Sequence, residues 1–456
     1  MADGAVDLLC FGNPLLDMLL KVADDQLLTK YDLLPKNQIE ASEQQRPLFD
    51  EVFASESVTF CPGGSAQNTA RIYRWALAER GRVAFVGAVG GDKFGRRLTQ
   101  LVRDDGVDIR YVVHEEMATG RSVNLVRGTD RSLVADLGAA NFCRPDRVFV
   151  PDNLALLTSA TYVYVEGFFV THDPETAMQV ARFCSDAGKQ LVFSLSGTYV
   201  CQEHTDAICQ MLPHVTFLFG HVTEYAALAR AVGRKEGEFD VSPLGYCRVV
   251  EAAAGRRRAL EAMTRTSGEP APSAESLSSG DPPVLRMVVT QSAKPVVLLD
   301  SVRAVSVAVP PISSALIADT TGAGDAVVGG FLAGRLLDRP LEECLRFGVL
   351  AAREVIQLMG CAVPDRPHRW STPTPAPHPT RPGRRRPPAR EAAWSPRRPA
   401  ASVGCSGRLW RRAEPSAASV NIRQIPQRVW NACSALLLVF CVVVYRVGDC
   451  FQHKNK

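Results

Sequence analysis

Asp319-Thr320-Thr321-Gly322-Ala323-Gly324-Asp325 is followed directly by an apolar run from Ala326 to Leu337, an order that predicts a small-residue turn leading into a buried helix. Without bulky side chains, the backbone N–H groups of Gly322, Ala323 and Gly324 are bare, and such a helix N-terminus binds anions. A carboxylate at Asp325 would repel a phosphate bound there. We therefore interpret Asp325 as a base that takes a proton from a hydroxyl attacking that phosphate. The alternative is a turn that only caps a buried helix.

A second glycine motif, Cys61-Pro62-Gly63-Gly64-Ser65-Ala66-Gln67-Asn68-Thr69-Ala70, precedes another predicted helix. Two glycines let the backbone approach a ligand closely, and Asn68 lies one turn inside the helix. Near the N-terminus, the apolar run from Asp7 to Gly12 predicts a buried strand that delivers Asn13 to Asp17 to a site. A turn that starts with Asn and ends with a solvated Asp is the alternative for this last segment.

Strand-like and helix-like segments alternate along the first 367 residues, which predicts an α/β fold with a doubly wound, mostly parallel sheet flanked by helices. Ligands of such sheets bind at the carboxyl ends of the strands. Tyr111 to Val113 and Ser122 to Val126 alternate like a half-exposed sheet, which suits a small β-rich lid domain. The predicted buried strands include Val83 to Val89, Tyr162 to Val170, Gln190 to Ser196 and Val215 to Gly220, and the predicted last helix is Leu341 to Gly360.

The two glycine motifs resemble, in the same order, the two signatures of the ribokinase-like family of sugar and nucleoside kinases. The resemblance extends from about Leu8 to Pro367. It includes the strings Phe11-Gly12-Asn13-Pro14-Leu15-Leu16-Asp17, Asp92-Lys93-Phe94-Gly95, Arg131-Ser132-Leu133, Gly167-Phe168-Phe169 and Val328-Gly329-Gly330-Phe331. These strings are most similar to the family members that phosphorylate adenosine. The resemblance implies transfer of a phosphoryl group from ATP to the 5′-hydroxyl of adenosine with Mg²⁺, by a domain whose lid is built from about 18–62 and 112–138.

The resemblance also implies roles for individual residues. Asp325 would deprotonate the 5′-hydroxyl, the turn Gly322-Ala323-Gly324 would stabilise the transferred group, and Arg131 would reach the phosphates from the lid. Leu16, Leu133 and Phe169 would enclose the adenine. The implied substrate-binding residues are Asn13, Leu16, Asp17, Gly63, Gly64, Ser65, Asn68, Leu133 and Phe169. The implied ATP-binding residues are Thr290, Gln291, Thr320, Gly322 and Gly324. Glu224 would bind Mg²⁺ through water, with His221 beside it.

Three segments depart from the family pattern. His221-Val222-Thr223-Glu224 stands where the family has Asn-x-x-Glu, so the Glu is kept and an imidazole of different reach replaces the amide. Ser292 follows Thr290-Gln291 where the family tends to have Gly, which adds a side chain beside the expected ATP site. Ser194 to Tyr199 reads S-L-S-G-T-Y where the family tends to have N-L-S-A-P-F. These changes could weaken catalysis without changing the fold.

Charge is distributed unevenly along the chain. Residues 368–456 hold 16 Lys and Arg against 3 Asp and Glu, whereas residues 1–367 hold 36 against 45. The net charge of +4 therefore gives no reason to expect nucleic acid binding by the predicted kinase domain. The 13 Cys form no C-x-x-C pair, and the N-terminus lacks a leader pattern. We expect a reduced cytoplasmic or nuclear compartment, small-molecule substrates and a monomer.

Three segments lie outside the expected packed core. The low-complexity stretch 264–283 predicts a flexible insertion. From His368 to Arg428, richness in Pro, Arg, Ser and Ala predicts a disordered tail, with a nuclear localisation or acidic-surface patch at Arg384 to Arg386 as the alternative. Val429 to Tyr445 is an apolar run of 17 residues, short for a membrane helix, which needs about 20. A tail anchor, a sticky segment and an alternative ending of the chain all remain open.

Other functions remain compatible with these patterns. A kinase for another nucleoside or sugar would differ in the residues of the base slot. A nucleoside-binding regulatory protein would keep the pocket and lose turnover through His221 and Ser292. The presence of Asp325 and Arg131 disfavours it, because a protein that only binds has no need of a base. A membrane-tethered interaction protein would depend on the last 90 residues alone.

Overall fold

The computed structural model describes residues 5–34, 38–127, 130–232, 242–265, 285–300 and 304–364, and its strands form two sheets. In chain order the strands are β1 (Leu8–Phe11), β2 (Leu15–Lys21), β3 (Gln38–Glu40), β4 (Thr59–Gly63), β5 (Val83–Gly90), β6 (Asp108–His114), β7 (Arg121–Arg127), β8 (Asp130–Asp136), β9 (Tyr162–Glu166), β10 (Gln190–Ser194), β11 (Val215–His221), β12 (Arg286–Gln291), β13 (Lys294–Leu299) and β14 (Ala304–Val307). The large sheet has the order β14-β13-β12-β11-β10-β9-β1-β5-β6, and the small sheet has the order β3-β8-β7-β2-β4.

The large sheet is parallel from β6 to β12, and its last two strands are antiparallel. Successive residues of β1 belong to two different hydrophobic cores: Leu8 and Cys10 to one, Leu9 and Phe11 to the other. Because both faces of a strand such as β1 are buried, the strand reads as a continuous apolar run with no polar alternation. The predicted α/β class, with a mostly parallel sheet and a second small sheet, is confirmed.

Helices cover the large sheet and bring two of its loops together. They are α1 (Gln26–Lys30), α2 (Arg46–Phe53), α3 (Ser65–Leu77), α4 (Lys93–Asp104), α5 (Pro145–Val148), α6 (Pro151–Ser159), α7 (Gly167–His172), α8 (Pro174–Asp186), α9 (Thr198–Glu203), α10 (Thr205–Met211), α11 (Val222–Ala231), α12 (Pro243–Arg265), α13 (Ala323–Leu336) and α14 (Leu341–Val355). A methyl group on Gly329 of α13 would lie 2.9 Å from the carbonyl oxygen of Thr69 in α3. Glycine therefore allows α13 and α3 to approach closely, which places their N-terminal turns side by side.

The small sheet contains β2 and β4 from the first lid segment and β7 and β8 from the second. Tyr111 to Val113, which their alternation assigns to the same half-exposed sheet, instead lie in β6. This strand pairs with β5 at the edge of the large sheet, and an edge strand there is also partly exposed, so alternation alone does not distinguish the two sheets.

Several predicted boundaries change. β9 ends at Glu166 and α7 begins at Gly167, so the strand predicted to reach Val170 is too long, and α14 ends at Val355 short of Gly360. The predicted insertion 264–283 begins with the last two residues of α12, and its remainder lies outside the described residues, as do the predicted tail 368–428 and the apolar run 429–445. Within the described ranges, no helix has both the length and the apolar character needed to cross a membrane.

Candidate active site

A cleft of about 870 Å³ is lined by residues of both sheets. Four of its lining residues lie at the carboxyl ends of neighbouring parallel strands: Glu166 on β9, Ser194 on β10, His221 on β11 and Thr290 on β12. This edge is where doubly wound sheets bind their ligands, and the volume lies in the range of small-molecule sites. The location at the strand ends thus agrees with the expectation from the alternating sequence pattern.

Asp325, the third residue of α13, lies in this cleft with its carboxylate held by α3. Ser65 Oγ donates a hydrogen bond to Asp325 Oδ1 at 2.7 Å, and Asn68 Nδ2 donates to Oδ2 at 3.0 Å. Ser65 and Asn68 are three residues apart on one helix, so their side chains lie on the same face. Burial raises the pKa of Asp325, while these two hydrogen bonds and the charge of Arg71 act in the opposite direction. The result is a carboxylate of fixed orientation that is a stronger base than an exposed one.

The turn before α13 has the backbone that its glycine predicts. Gly322 has φ +77°, and a methyl group there would lie 2.2 Å from Cys361 Sγ, so both conformation and space require glycine. The expectation that the N–H of Ala323 is bare is wrong, because it donates to the carbonyl oxygen of Thr320 at 3.2 Å and closes the turn. Gly322 and Gly324 both line the cleft, so the predicted anion site is left with their amides and the start of the helix.

A second polar corner of the cleft is formed around Asp17. Ser122 Oγ donates to Asp17 Oδ1 at 2.6 Å. A methyl group on Gly63 would lie 2.4 Å from Asp17 Oδ2, so Gly63 acts by leaving room for this carboxylate and does not itself line the cleft. Gly64 has φ +91°, and a methyl group there would lie 2.2 Å from the carbonyl oxygen of Asn13. Asn13, Asp17 and Gly64, which the resemblance assigns to substrate binding, all line the cleft, and their contact with a sugar stays a prediction.

The apolar part of the cleft uses different side chains from those predicted. Leu16 and Phe169 have no exposed surface and pack in the two hydrophobic cores, so their assignment to a base slot is wrong. Leu15 and Phe168 line the cleft in their place. The reason for the first correction is strand alternation: Asp17 faces the cleft, so Leu15 shares its face of β2 and Leu16 lies opposite.

Phe168 faces the cleft because it lies on a helix and not on a strand. In α7, Phe168 and Thr171 are three residues apart and both line the cleft, which leaves Phe169 and Val170 on the core side. Phe168 stacks on Tyr199 with ring centroids 6.1 Å apart and planes 27° apart. Phe168, Tyr199 and Leu133 all line the cleft, and we call this apolar part of its lining the apolar slot. An exposed aromatic face of this kind can stack on a planar ligand.

The predicted ATP-binding residues do not all line the cleft. Thr290 and Thr320 line the cleft, whereas Gln291 does not: its Nε2 donates to the carbonyl oxygen of Pro295 at 2.9 Å within the β12–β13 turn. Ser292 has φ +55°, a left-handed conformation that costs a non-glycine residue about 1 to 2 kcal/mol. The departure at this position therefore places strain in the turn beside Thr290.

His221 forms the N-cap of α11. His221 Nδ1 accepts a hydrogen bond from the Thr223 N–H at 3.3 Å, and Glu224 Oε2 accepts one from the His221 N–H at 2.9 Å, a reciprocal capping box. His221 Nδ1 also lies 2.8 Å from Thr223 Oγ1, and Nε2 lies 3.4 Å from Ser292 Oγ, so both ring nitrogens already have protein partners. Burial lowers the pKa of His221 and so favours the neutral ring. These contacts oppose the assignment of His221 as a metal ligand and leave Glu224 as the nearby carboxylate.

Comparison with known proteins identifies the family of the chain. Residues 25–240 and 249–369 match the pfkB family of carbohydrate kinases, which is well over half of the chain. The chain belongs to this family. It is 31% identical over 360 residues to adenosine kinase 2 of Arabidopsis thaliana, covering 79% of this chain and 96% of that protein. It is 30% identical over 363 residues to adenosine kinase of Saccharomyces cerevisiae, covering 78% of this chain and 97% of that protein.

Solved structures of pfkB-type kinases have the same fold. Adenosine kinase of Anopheles gambiae, in complex with P1,P4-di(adenosine-5) tetraphosphate, matches with a TM-score of 0.62 and 33% identity, over 79% of this chain and 98% of that one. The apo structure of Trypanosoma brucei brucei adenosine kinase matches with a TM-score of 0.65 and 26% identity, over 77% of this chain and 99% of that one.

The cleft also contains a carboxylate, Glu166, that is not among the residues predicted from the sequence. Glu166 is fully buried, and its two carboxylate oxygens accept the backbone N–H groups of Asn13, at 2.6 Å, and Ala66. Burial raises its pKa to about 8. A methyl group on Gly12 would lie 2.7 Å from its carboxyl group, so Gly12 leaves it room. The available signal was a single acidic residue at the end of the apolar run Tyr162-Val163-Tyr164-Val165.

Arg131 is placed only in part. Its backbone lies in β8 opposite Val126 of β7, and its side chain lies outside what the structure describes. The predicted contact between Arg131 and the phosphates therefore stays a prediction.

Proposed function

We propose that the protein transfers the γ-phosphoryl group of ATP to the 5′-hydroxyl of adenosine, giving AMP and ADP. The observation that carries the proposal is the Asp325 carboxylate, held by Ser65 and Asn68 at the N-terminus of α13 in a cleft with an apolar slot. Membership of the pfkB family and the similarity to adenosine kinases of plants and yeast support this choice.

In the proposed mechanism, Asp325 accepts the proton of the 5′-hydroxyl as its oxygen attacks the γ-phosphorus and the bond to the β-phosphate oxygen breaks. The hydrogen bonds from Ser65 and Asn68 keep the carboxylate directed at the acceptor. The amides of Gly322 and Gly324, together with the helix N-terminus, stabilise the charge on the transferred group. The chemistry then requires only positioning and electrostatics, with no covalent intermediate on the protein.

The nucleoside would bind with its sugar and base in different parts of the cleft. Asp17, Gly64 and Asn68 supply the polar groups for the ribose hydroxyls. Leu15, Leu133 and Phe168 supply the apolar walls for adenine, a planar base that stacks well on an aromatic ring. A sugar kinase would have no use for this slot, so the slot favours a nucleoside over a free sugar.

The nucleotide needs positive charge to enter this cleft. Asp17, Glu40, Glu166, Glu224, Asp319 and Asp325 all line it, and none of the described lining side chains belongs to Lys or Arg. Within the described ranges, no three His, Cys, Asp or Glu side chains form a protein-only metal site. Mg²⁺ commonly binds through one carboxylate plus water and substrate phosphates, which fits Glu224. When bound, Mg²⁺ supplies charge that offsets the phosphates, and Arg131 would add to it from the lid.

A substrate panel tests the proposal. Purified protein with ATP and Mg²⁺ is given adenosine, guanosine, cytidine, ribose or fructose, and ADP formation is measured. We expect adenosine to give the highest kcat/KM, with ribose and fructose at least about a hundredfold lower because they cannot use the apolar slot. Preference for a sugar or for another nucleoside would identify a different kinase of the same family. Adenosine binding without turnover would identify a binding protein.

A further inference from the structure

Arg71 is a buried cation that has no role in the mechanism proposed above. It lies on α3, three residues after Asn68, and only 3% of its side chain is exposed. Its Nε donates to Asp105 Oδ2 at 2.6 Å. Its Nη1 contacts three acceptors: the carbonyl oxygen of Cys361 at 2.8 Å, Asn68 Oδ1 at 3.1 Å and the carbonyl oxygen of Pro62 at 3.2 Å. Arg71 does not line the cleft, so any effect on the reaction must pass through these partners.

The contact with Asn68 fixes the direction of its side-chain amide. A guanidinium group has only donors, so the Asn68 oxygen must face Arg71, and the NH₂ group must then face Asp325. The observed pair of bonds, Arg71 Nη1 to Asn68 Oδ1 and Asn68 Nδ2 to Asp325 Oδ2, follows this order. If the amide turned over, its oxygen would point at the carboxylate and repel it. Arg71 thus controls whether Asn68 donates to Asp325.

The contact with Cys361 acts on the other side of Asp325. Cys361 Sγ fills the space beside Gly322, where a methyl group would lie 2.2 Å away from it. The preceding residue, Gly360, donates its N–H to Asp319 Oδ2 at 3.1 Å, at the start of the same turn. By holding the Cys361 carbonyl, Arg71 keeps this segment packed against the turn that provides the Gly322 amide. One guanidinium group therefore connects the two halves of the site.

We propose that Arg71 is a positioning residue for phosphoryl transfer, which orients the Asn68 amide toward the Asp325 carboxylate and holds the Cys361 segment against the Gly322 turn. The role of the first contact rests on the proposed function, because it matters for turnover only if Asp325 acts as the base. A purely structural role is the competing explanation, since a buried ion pair with Asp105 also ties α3 to the end of α4.

The pH profile of kcat/KM can report on the charge of Arg71, because that charge affects the pKa of Asp325. Among the described residues, the titratable groups that interact with Asp325 include Glu166, Tyr164, Cys361 and Arg71, and those around Arg71 include Asp105, Cys61, Cys361 and Tyr111. The charge of Arg71 lowers the pKa of Asp325 against the larger effect of burial. Removing that charge raises the pKa of the base, so the acid limb of kcat/KM must move to higher pH.

Four variants distinguish a positioning role of Arg71 from a purely structural one. Arg71→Gln removes the charge and the guanidinium donors. Arg71→Lys keeps a cation with donors, and Asp105→Asn removes the ion pair but leaves Arg71 in place. Arg74→Gln is the matched control, because Arg74 lies one turn along the same helix and donates to the carbonyl oxygen of Gly81 at 3.1 Å.

For Arg71→Gln we expect kcat with adenosine to fall about 10- to 100-fold, with KM for ATP within about twofold and the acid limb at higher pH. Arg71→Lys should restore the acid limb, because a cation remains, but only part of the turnover, because lysine lacks the planar group that holds Asp105, Asn68 and Cys361 together. Asp105→Asn and Arg74→Gln should stay within about twofold of the parent. If Asp105→Asn reproduces the loss seen in Arg71→Gln, or if Arg71→Gln keeps parental turnover and acid limb, the proposal is overturned. If Arg71→Gln does not fold, Arg71→Lys alone tests the proposal. An acid limb of Arg71→Lys at higher pH than that of the parent protein would then overturn it.

A readout independent of turnover separates this inference from the proposed function. With Asn-selective ¹⁵N labelling, the side-chain amide resonances of Asn68 are assigned by their loss in Asn68→Ala. We expect them to move in Arg71→Gln and in Arg71→Lys and to stay in place in Arg74→Gln. Unmoved resonances in both Arg71 variants would refute the positioning role, whatever the substrate is. Absence of adenosine phosphorylation by the parent protein would instead refute the proposed function alone.

Discussion

Replacing Gly322 by Ala tests whether the turn before α13 requires glycine for two separate reasons. The first is conformational: at φ +77° a side chain costs about 1 to 2 kcal/mol, from which about 0.5 to 1 kcal/mol is recovered because alanine restricts the unfolded chain. The second is steric, because the new methyl group would lie 2.2 Å from Cys361 Sγ and 2.7 Å from its Cβ. Overpacking of this kind costs typically about 1 to 3 kcal/mol. We expect a total loss of about 1.5 to 4 kcal/mol.

Gly188→Ala is the matched control for the conformational part. Gly188 has φ +63°, and a methyl group there meets no heavy atom within 4 Å, so this variant isolates the backbone cost, about 0.5 to 1 kcal/mol. The difference between the two variants then measures the contact with Cys361. Cys361→Ala, added to each of these variants, removes the sulfur. It should restore part of the stability lost in Gly322→Ala and none of the stability lost in Gly188→Ala.

Urea unfolding followed by tryptophan fluorescence gives the free energies, provided that the slope of the transition is the same in each variant. Equal losses in Gly322→Ala and Gly188→Ala would refute the steric argument. A loss below about 0.5 kcal/mol in both would refute the conformational argument as well. If the Gly322 amide faces the phosphate as proposed, AMP formation by Gly322→Ala should fall further than its stability explains, because a displaced turn misdirects that amide.

Three further predictions concern other positions in the cleft. Gly324→Ala should stabilise α13 by up to about 1 kcal/mol and yet reduce turnover, because the methyl group enters open cleft space beside the proposed phosphate site; parental or higher turnover would contradict this. Ser292→Gly should raise the free energy of unfolding by about 0.5 to 1 kcal/mol by relieving the left-handed strain at φ +55°, and a loss of stability would refute it. The pKa of Glu166, raised to about 8, means that the native state holds a proton that the unfolded state releases near pH 4.5. Stability should therefore fall as pH rises from 5 to 8, by up to about 1.4 kcal/mol per unit, and Glu166→Gln should lack this slope; equal slopes in the two proteins would exclude the titration.

The sequence was sufficient for the architecture and for the position of the turn before α13. Apolar runs alternating with helix-length segments predict a doubly wound sheet, and the structure has it. The small residues before Ala326 predict a turn and a helix start, and α13 begins at Ala323. Both signals are local, because turn conformation and helix N-termini depend on residues close together in the chain.

The errors came from contacts that local patterns do not determine. Leu16 and Asp17 cannot both face one cleft from a single strand, and strand alternation would have selected Leu15 had β2 been recognised as a strand. Phe168 was missed because the apolar run Tyr162 to Val170 shows no visible change from strand to helix at Gly167.

Arg71 could not have been identified from local sequence. Its partners Asp105 and Cys361 lie 34 and 290 residues away in the chain, and an arginine on a helix is usually solvated. Glu166 is only slightly easier to identify from the sequence. Its position at the end of a strand can be predicted, but its hydrogen-bond partners Asn13 and Ala66 lie 153 and 100 residues away in the chain. Only the fold shows that these side chains are buried and what they orient.

The most direct measurement is AMP formation from adenosine, ATP and Mg²⁺ by the parent protein and by Asp325→Asn, with adenosine binding measured by calorimetry on both. If Asp325 is the base, kcat should fall about 10²- to 10⁴-fold in Asp325→Asn while adenosine still binds. Turnover in Asp325→Asn within tenfold of the parent would contradict the assignment of Asp325 as the base. A parent protein that binds no adenosine and forms no AMP would contradict the proposed function itself.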